Sequence, residues 1–390
     1  MPEHNARLIT PSPAVLRAQL GHDAPLAGGF LALRLDNVPA RAVEPLTTLA
    51  VALGGLVAPT GAGAAGGVLL LLPAAALDGL LERMEAARPP LPALAAELAA
   101  LAENLARRPA PLVCGPYTLP TGARTLIMGI LNMTPDSFSG DGLGLDVDAA
   151  LAQARRMHAE GADLLDIGGM STRPGAAPVS GEQEIARVVP VITRLAAEVP
   201  LPLSVDTFRA ATAAAALAAG AHIVNDITGF REDPDLLDVA ARHGAAVIAM
   251  HIQGRPATMQ ENPIYQDLLG EVIAYLRESV RIAEAAGIPR ERVWIDPGIG
   301  FGKTFEHNLE LLRRLGELRC LGQPILVGTS RKAFVGRLVG GKQGAERAVG
   351  TGATLALSIA QGADMVRVHD VAVTNDVVRV ADAVVRFPFA

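Results

Sequence analysis

The sequence predicts an α/β chain, a TIM (β/α)8 barrel preceded by a small α/β domain. From about residue 125 short apolar runs alternate with longer amphipathic segments, and the runs number eight. That is the count an eight-stranded parallel barrel requires, and more than a doubly wound sheet usually has. Polar residues collect at the C-terminal ends of these runs, where barrels of this kind place their working groups. The stretch up to about residue 112 has another pattern, and the proline-containing segment "RRPAPLVCGPYTLPTG" follows it.

In the leading stretch, "GFLALRLDNV" reads as a strand, "RAVEPLTTLAVALGG" as a helix, "GVLLLL" as a second strand, and two further helices follow. The predicted organisation is a small α/β domain over residues 1–115, a linker over 116–124 and the barrel over 125–390. The most apolar stretch, "GGVLLLLPAAALDGLL", is interrupted by Pro73 and Asp78 and is too short to span a bilayer. The start "MPEHNARLIT" has no basic segment followed by an apolar run, so no signal peptide is expected. Cys114 and Cys320 fit neither a disulfide framework nor a zinc site, and a cytoplasmic location is expected. No membrane partner is expected. A net charge of -6 argues against a nucleic-acid binder, so an anionic ligand has to meet a local cluster of cations.

The predicted barrel strands, in order, are "TLIMGILN", "LLDIGG", "LPLSVDT", "HIVNDITG", "AAVIAMH", "VWIDPG", "PILVGTS" and "MVRVHD". Segments such as "DVDAALAQARRMHAEGA" and "TFEHNLELLRRLGELRC" supply helices between them, and "TNDVVRVADAVVRF" closes the chain. Asn132 ends the first run and Asp166 lies in the second. Asp206 ends the third, Asn225 and Asp226 fall in the fourth, and Met250 and His251 end the fifth. Asp296 ends the sixth, Ser330, Arg331 and Lys332 follow the seventh, and Arg367, His369 and Asp370 belong to the eighth. Any single carboxylate here could instead cap the next helix, and Asp226 and Asp370 are the most open to that reading. His158, His251 and His307 lack such partners in sequence and read as surface or helix residues.

The stretch "WIDPGIGFGKT" imitates a nucleotide-binding loop. In that motif a glycine stands five residues before the Gly-Lys-Thr glycine, and here Pro297 occupies the position. Proline has no N–H to offer a phosphate, so the segment is better read as a glycine-rich turn that lets a ligand approach the backbone.

The rim residues sort by charge. Asp206, Asn225 and Asp296 offer acceptors suited to a flat N–H/NH2 edge such as an aminopyrimidinone presents, while Lys332, Arg367 and His369 offer donors. An acceptor cluster beside a cationic one suits a flat heterocycle that carries phosphate or pyrophosphate. Two glycine- and proline-rich segments, "NMTPDSFSGDG" and "GGMSTRPGAAPVSGE", are long for barrel connections and read as mobile lids.

"ILNMTPDSFSGDG" and "DIGGMSTRPGA", followed in order by "SVDT", "NDITG", "DPGIGFGK", "GTSRKAF" and "RVHD", resemble the dihydropteroate synthase family of folate biosynthesis over residues 125–390. The leading domain resembles the N-terminal extension of longer bacterial members. The resemblance implies that 6-hydroxymethyl-7,8-dihydropterin pyrophosphate condenses with 4-aminobenzoate, giving 7,8-dihydropteroate and pyrophosphate, and that the protein is a sulfonamide target. It implies that Asp296, Asn225, Asp206 and Lys332 hold the pterin, with Met250 in the same pocket. Arg367, His369 and Asn132 would surround the pyrophosphate, with Mg2+ bridging Asn132 and phosphate oxygens. Thr172, Arg173, Pro174, Phe301 and Ser330 would shape the aminobenzoate pocket, joined by Asp136 and Phe138. The catalytic group implied is Lys332, Arg367, His369 and Asp206, and a homodimer through barrel helices is also implied.

One position departs from the family. Many members have glutamate where this chain has Met170, which puts lid closure or hydrogen bonding at the second strand in question. A pterin-binding methyltransferase serving a corrinoid protein would share the barrel and pterin pocket but not need "STRPGA" or "SRK". A catalytically silent pterin-binding module is the third reading.

Overall fold

The computed structural model describes residues 4–9, 29–60, 65–134, 142–171 and 178–386. The chain divides into two compact units, residues 1–107 with Glu317–Gly322, and residues 108–316 with 323–390.

The first unit holds a four-stranded antiparallel sheet. Its strands are β1 (Arg7–Leu8), β2 (Phe30–Pro39), β3 (Leu56–Thr60) and β4 (Ala65–Pro73), in the spatial order β1-β2-β4-β3. Helices α1 (Ala40–Val51), α2 (Leu77–Glu85) and α3 (Leu91–Ala106) complete it. β2, β4 and the helices are those the sequence predicts. β1, which is two residues long, and β3, whose "LVAPT" carries a proline, are not among the predicted strands.

In the second unit, β5 (Leu112–Cys114) and β6 (Tyr117–Leu119) form an antiparallel hairpin turning at Gly115, whose φ is +56°. Residues 112–119, split in the sequence reading between leading domain and linker, thus carry paired strands. Leu112, Cys114 and Leu119 are buried in one cluster with Met128, Leu164, Ile223, Ile248, Trp294 and Met365 from the barrel strands. Burying a leucine of this kind contributes about 1.5–3 kcal/mol.

The eight predicted runs become β7 (Leu126–Asn132), β8 (Leu164–Gly168), β9 (Leu203–Asp206), β10 (Ile223–Asp226), β11 (Ala246–Met250), β12 (Val293–Asp296), β13 (Leu326–Val327) and β14 (Met365–Val368). They are joined in the order β12-β11-β10-β9-β8-β7-β14-β13, each named pair parallel. A parallel bridge between Ile295 and Ile325 brings β12 to the β13 end and completes the ring. Around it run α4 (Val147–Ala159), α5 (Gly181–Glu198), α6 (Ala210–Ala218), α7 (Leu236–Arg242), α8 (Leu268–Ala285), α9 (Phe305–Arg313), α10 (Ala333–Leu338), α11 (Ala348–Ala360) and α12 (Val371–Arg386).

Local chemistry starts several of these helices beside the rim. Ser180 and Gln183 form a reciprocal capping box at α5, Thr304 and His307 do so at α9, and Asp146 caps α4. Among the described residues no helix is long and apolar enough to cross a membrane.

Candidate active site

Because all eight strands run the same way, their C-terminal residues share one rim. Asn132 pairs with Gly168, Gly168 with Asp206, Asp206 with Asn225, and Met250 with Asp296, so side chains distant in sequence become neighbours in register. They open into a cavity of about 760 Å3. Asn132, Asp206, Asn225, Met250, Asp296, Phe301, Ser330, Lys332, Arg367 and His369 all line it. Asp136, Phe138, Thr172, Arg173 and Pro174 lie outside the described residues, as do most of the two segments read as lids. Met170 and Ser171 line the cavity, so the position that departs from the family faces the same space.

A charge network organises one wall. Arg367 donates from Nε to Asp166 Oδ2 at 2.6 Å and from Nη2 to Asp206 Oδ2 at 2.8 Å. Asn225 Nδ2 donates to the same Asp166 oxygen at 3.0 Å. Burial works against the Arg367 charge, but Asp166 and Asp206 outweigh it and hold the guanidinium above its usual range. Desolvation pushes Asp206 up to about 7; Arg367 opposes the shift, and Asp166 and Glu184 add to it.

Asp296 lines the same cavity and is 6 % exposed. Its Oδ1 accepts from Gly298 N at 2.7 Å. Desolvation raises it to about 6, against the pull of the Gly298 N–H, Lys332 and Lys303. The Lys332 ammonium lies 4.0 Å from the centre of the Phe301 ring, a cation–π contact between two residues that line the cavity. Ser330 Oγ lies 2.9 Å from His369 Nδ1 and accepts from His369 N at 3.1 Å, which fixes the imidazole at the cationic side.

One sequence reading changes, and two that the sequence leaves open take structural contacts. His251, read as a surface or helix residue, is 3 % exposed and bonds through Nδ1 to Lys303 Nζ at 2.9 Å. Asp226 accepts from Thr228 N, Thr228 Oγ1 and Phe230 N, so it holds its own turn. Asp370 forms a two-pronged ion pair with Arg331. His307 caps α9 and His158 is exposed on α4, as the sequence suggested.

Two residues of the site were not assigned a role by sequence. Asp166 was placed in its strand, but nothing local marks it as the acceptor shared by Arg367 and Asn225. Lys303 lies in the segment that imitates a nucleotide-binding loop. It lines the cavity, is 3 % exposed, and donates to the Phe301 carbonyl at 2.9 Å. Burial lowers it to about 7, with Asp296 resisting and Lys332 reinforcing the shift. Its partners are His251 and a backbone carbonyl, not a phosphate cradle, and Thr304 next to it serves as a helix cap.

A parallel barrel whose rim cavity is lined both by aminopyrimidinone-type acceptors and by cations has the features of a pterin-binding enzyme, and residues 128–369 match the pterin binding enzyme family. The dihydropteroate synthase of Synechocystis sp. is 49 % identical over 278 residues, covering 71 % of this chain and 96 % of that protein. The Yersinia pestis dihydropteroate synthase, solved as a complex with a sulfonamide drug, superposes with a TM-score of 0.68 at 43 % identity, covering 70 % of this chain and 99 % of that one. The Xanthomonas albilineans enzyme, solved with 7,8-dihydropteroate, gives 0.60 at 42 % identity, covering 68 % and 94 %. The chain belongs to the dihydropteroate synthase family, transferases of folate biosynthesis.

Proposed function

We propose that the rim residues divide the family's reaction as follows. The pterin ring of 6-hydroxymethyl-7,8-dihydropterin pyrophosphate lies between Asp296 and Asn225, with its N–H and amino edge on Asp296 and its carbonyl towards Lys332. Arg367 and His369 face the pyrophosphate. Its charge grows as the methylene C–O bond breaks, so donors fixed beforehand in a partly dry cavity stabilise the transition state more than the ground state. The arylamine nitrogen of 4-aminobenzoate then forms the C–N bond and releases one proton. Phe301 and Ser330 bound the space for this second substrate. The observation that carries the reading is the convergence of Asp296, Asn225 and Asp206 with Lys332, Arg367 and His369 on one cavity.

The Mg2+ reading fits the donors present. Among the described residues no group of three or more His, Cys, Asp or Glu could enclose a metal ion. A single amide oxygen at the rim suits an ion that keeps its waters and takes phosphate oxygens, so Asn132 would hold it together with the pyrophosphate. When bound, the ion supplies charge neutralisation to the leaving group.

Sulfonamide sensitivity follows from the same second-substrate space, in line with the drug complex of the Yersinia pestis relative. We also assign a homodimer, supported by exposed Val349 and Leu357 on α11 and Val373, Val380 and Val384 on α12. A cytoplasmic site of action agrees with Cys114 and Cys320, both buried thiols outside any disulfide.

A coupled pyrophosphate-release assay tests the reaction. Release should require both the pterin pyrophosphate and 4-aminobenzoate. Pterin binding without release would favour the silent module, and demethylation of methyl-tetrahydrofolate in the presence of a corrinoid protein would favour the methyltransferase.

A further inference from the structure

Asp166 is fully buried in the middle of β8, two residues before the strand's C-terminal end. Its Oδ2 accepts both the Arg367 Nε and the Asn225 Nδ2 hydrogen bonds, while among the described residues its Oδ1 has no hydrogen-bond partner. A buried carboxylate with one unsatisfied oxygen is destabilising, and a neutral apolar side chain would fill the same strand position more stably. Its presence points to what it imposes on its neighbours.

Asn225 donates from Nδ2 to this carboxylate oxygen at 3.0 Å, so its NH2 faces Asp166. Asn225 is 4 % exposed and lines the cavity, and with its NH2 committed downward the amide oxygen is what remains for a ligand. Asn225 left alone has no such preference, since its O and N ends have nearly the same size and shape. The Arg367 fork is fixed by the same carboxyl group and by Asp206.

We propose that Asp166 is a positioning and specificity-determining residue that sets the hydrogen-bond polarity of the ring-binding wall, holding Asn225 as an acceptor so that the cavity selects heterocycles presenting an N–H donor there. This rests on the pterin reading of the site. The ligand class selected is a pterin-like ring with a protonated nitrogen at that edge. A same-shaped ring with a bare nitrogen sets acceptor against acceptor and leaves both buried and unpaired.

The test uses the full chain, calorimetry, and two ring probes: 6-hydroxymethyl-7,8-dihydropterin and an isosteric analogue whose ring position facing Asn225 is a bare nitrogen. The native protein should prefer the donor ring by on the order of ten- to a hundredfold. In Asp166→Asn the residue at 166 can offer either an oxygen or an NH2, Asn225 can turn over, and the preference should collapse towards one. Equal weakening of both rings with the preference kept would mean a merely structural role and overturn the proposal. Failure of the native protein to bind either ring would instead sink the pterin reading itself. Should Asp166→Asn not fold, hydrogen exchange of the Asn225 side-chain amide in the native protein decides the matter. Protection in the absence of ligand supports the proposal, and exchange at the solvent rate overturns it.

Discussion

Asp296 shows how a single residue trades stability for binding. Its carboxyl rises from 3.8 to about 6 because burial removes water faster than Gly298, Lys332 and Lys303 replace it. Between those values the folded state binds more protons than the unfolded chain. The stability associated with this group is therefore full below about pH 4 and is lost as pH rises through about 6. At neutral pH the ionised Asp296 weakens the fold while serving as the acceptor for the pterin edge. Asp296→Asn should accordingly raise the melting temperature at pH 7 and weaken pterin binding by about 1–3 kcal/mol, because one half of the amide sets donor against donor. In the native protein pterin affinity should fall as pH drops through about 6, where Asp296 takes up its proton. Calorimetry across pH with matched thermal melts checks both; unchanged affinity in the variant would remove Asp296 from the pose.

At the scale of elements, the turn after β12 is held almost wholly by its own neighbours. Gly298 has φ +67°, and a Cβ there would lie 1.9 Å from the His251 carbonyl oxygen, so no other residue fits without moving the β11 end. Gly300 N donates to Asn308 Oδ1, Gly300 O accepts from Gln260 Nε2, and Gly302 O accepts from Tyr265 OH. Lys303 closes the turn by pinning the Phe301 carbonyl, which keeps the Phe301 ring under Lys332. Lys303→Met leaves that carbonyl without its donor, a loss of about 1–3 kcal/mol. The expected result is a raised KM for 4-aminobenzoate with a smaller change in pterin affinity. If Lys303 acts through Phe301, adding Phe301→Ala should bring little further change, and fully additive effects in steady-state kinetics would refute that route.

For the whole molecule, the hairpin of β5 and β6 decides where the catalytic unit begins. It places Leu112, Cys114 and Leu119 in the cluster that fills the barrel, and burial raises the Cys114 thiol to about 11, consistent with a packing role and not a reactive one. A chain starting at Leu119 loses Leu112 and Cys114 from this cluster and should melt lower and aggregate. A chain starting at Arg108 keeps the hairpin and every candidate site residue. It should retain turnover and, if the valines of α11 and α12 form the homodimer contact, the mass of a dimer by light scattering. Loss of turnover in a folded protein from Arg108 would give the first unit a part in catalysis.

The sequence by itself determined the barrel and most of the rim. Eight apolar runs spaced by amphipathic helices admit few folds, and a parallel barrel sends every strand end to the same face, so Asn132, Asp206, Asn225, Met250, Asp296 and Arg367 could be collected by position alone. The rejection of "DPGIGFGKT" as a nucleotide loop was equally local, resting on Pro297 and its missing N–H. Tertiary structure decided what depends on partners far apart in the chain. Arg367 meets Asp166 across 201 residues, and the Asn225 amide takes its orientation from a carboxylate 59 residues away. The ring closes through a single parallel bridge between Ile295 and Ile325, beside the two-residue strand β13. Lys303 becomes a buried clamp only because His251 and Phe301 fold around it. Periodicity and turn chemistry are properties of short windows, whereas charge pairing and amide orientation belong to contacts that exist only once the barrel has closed.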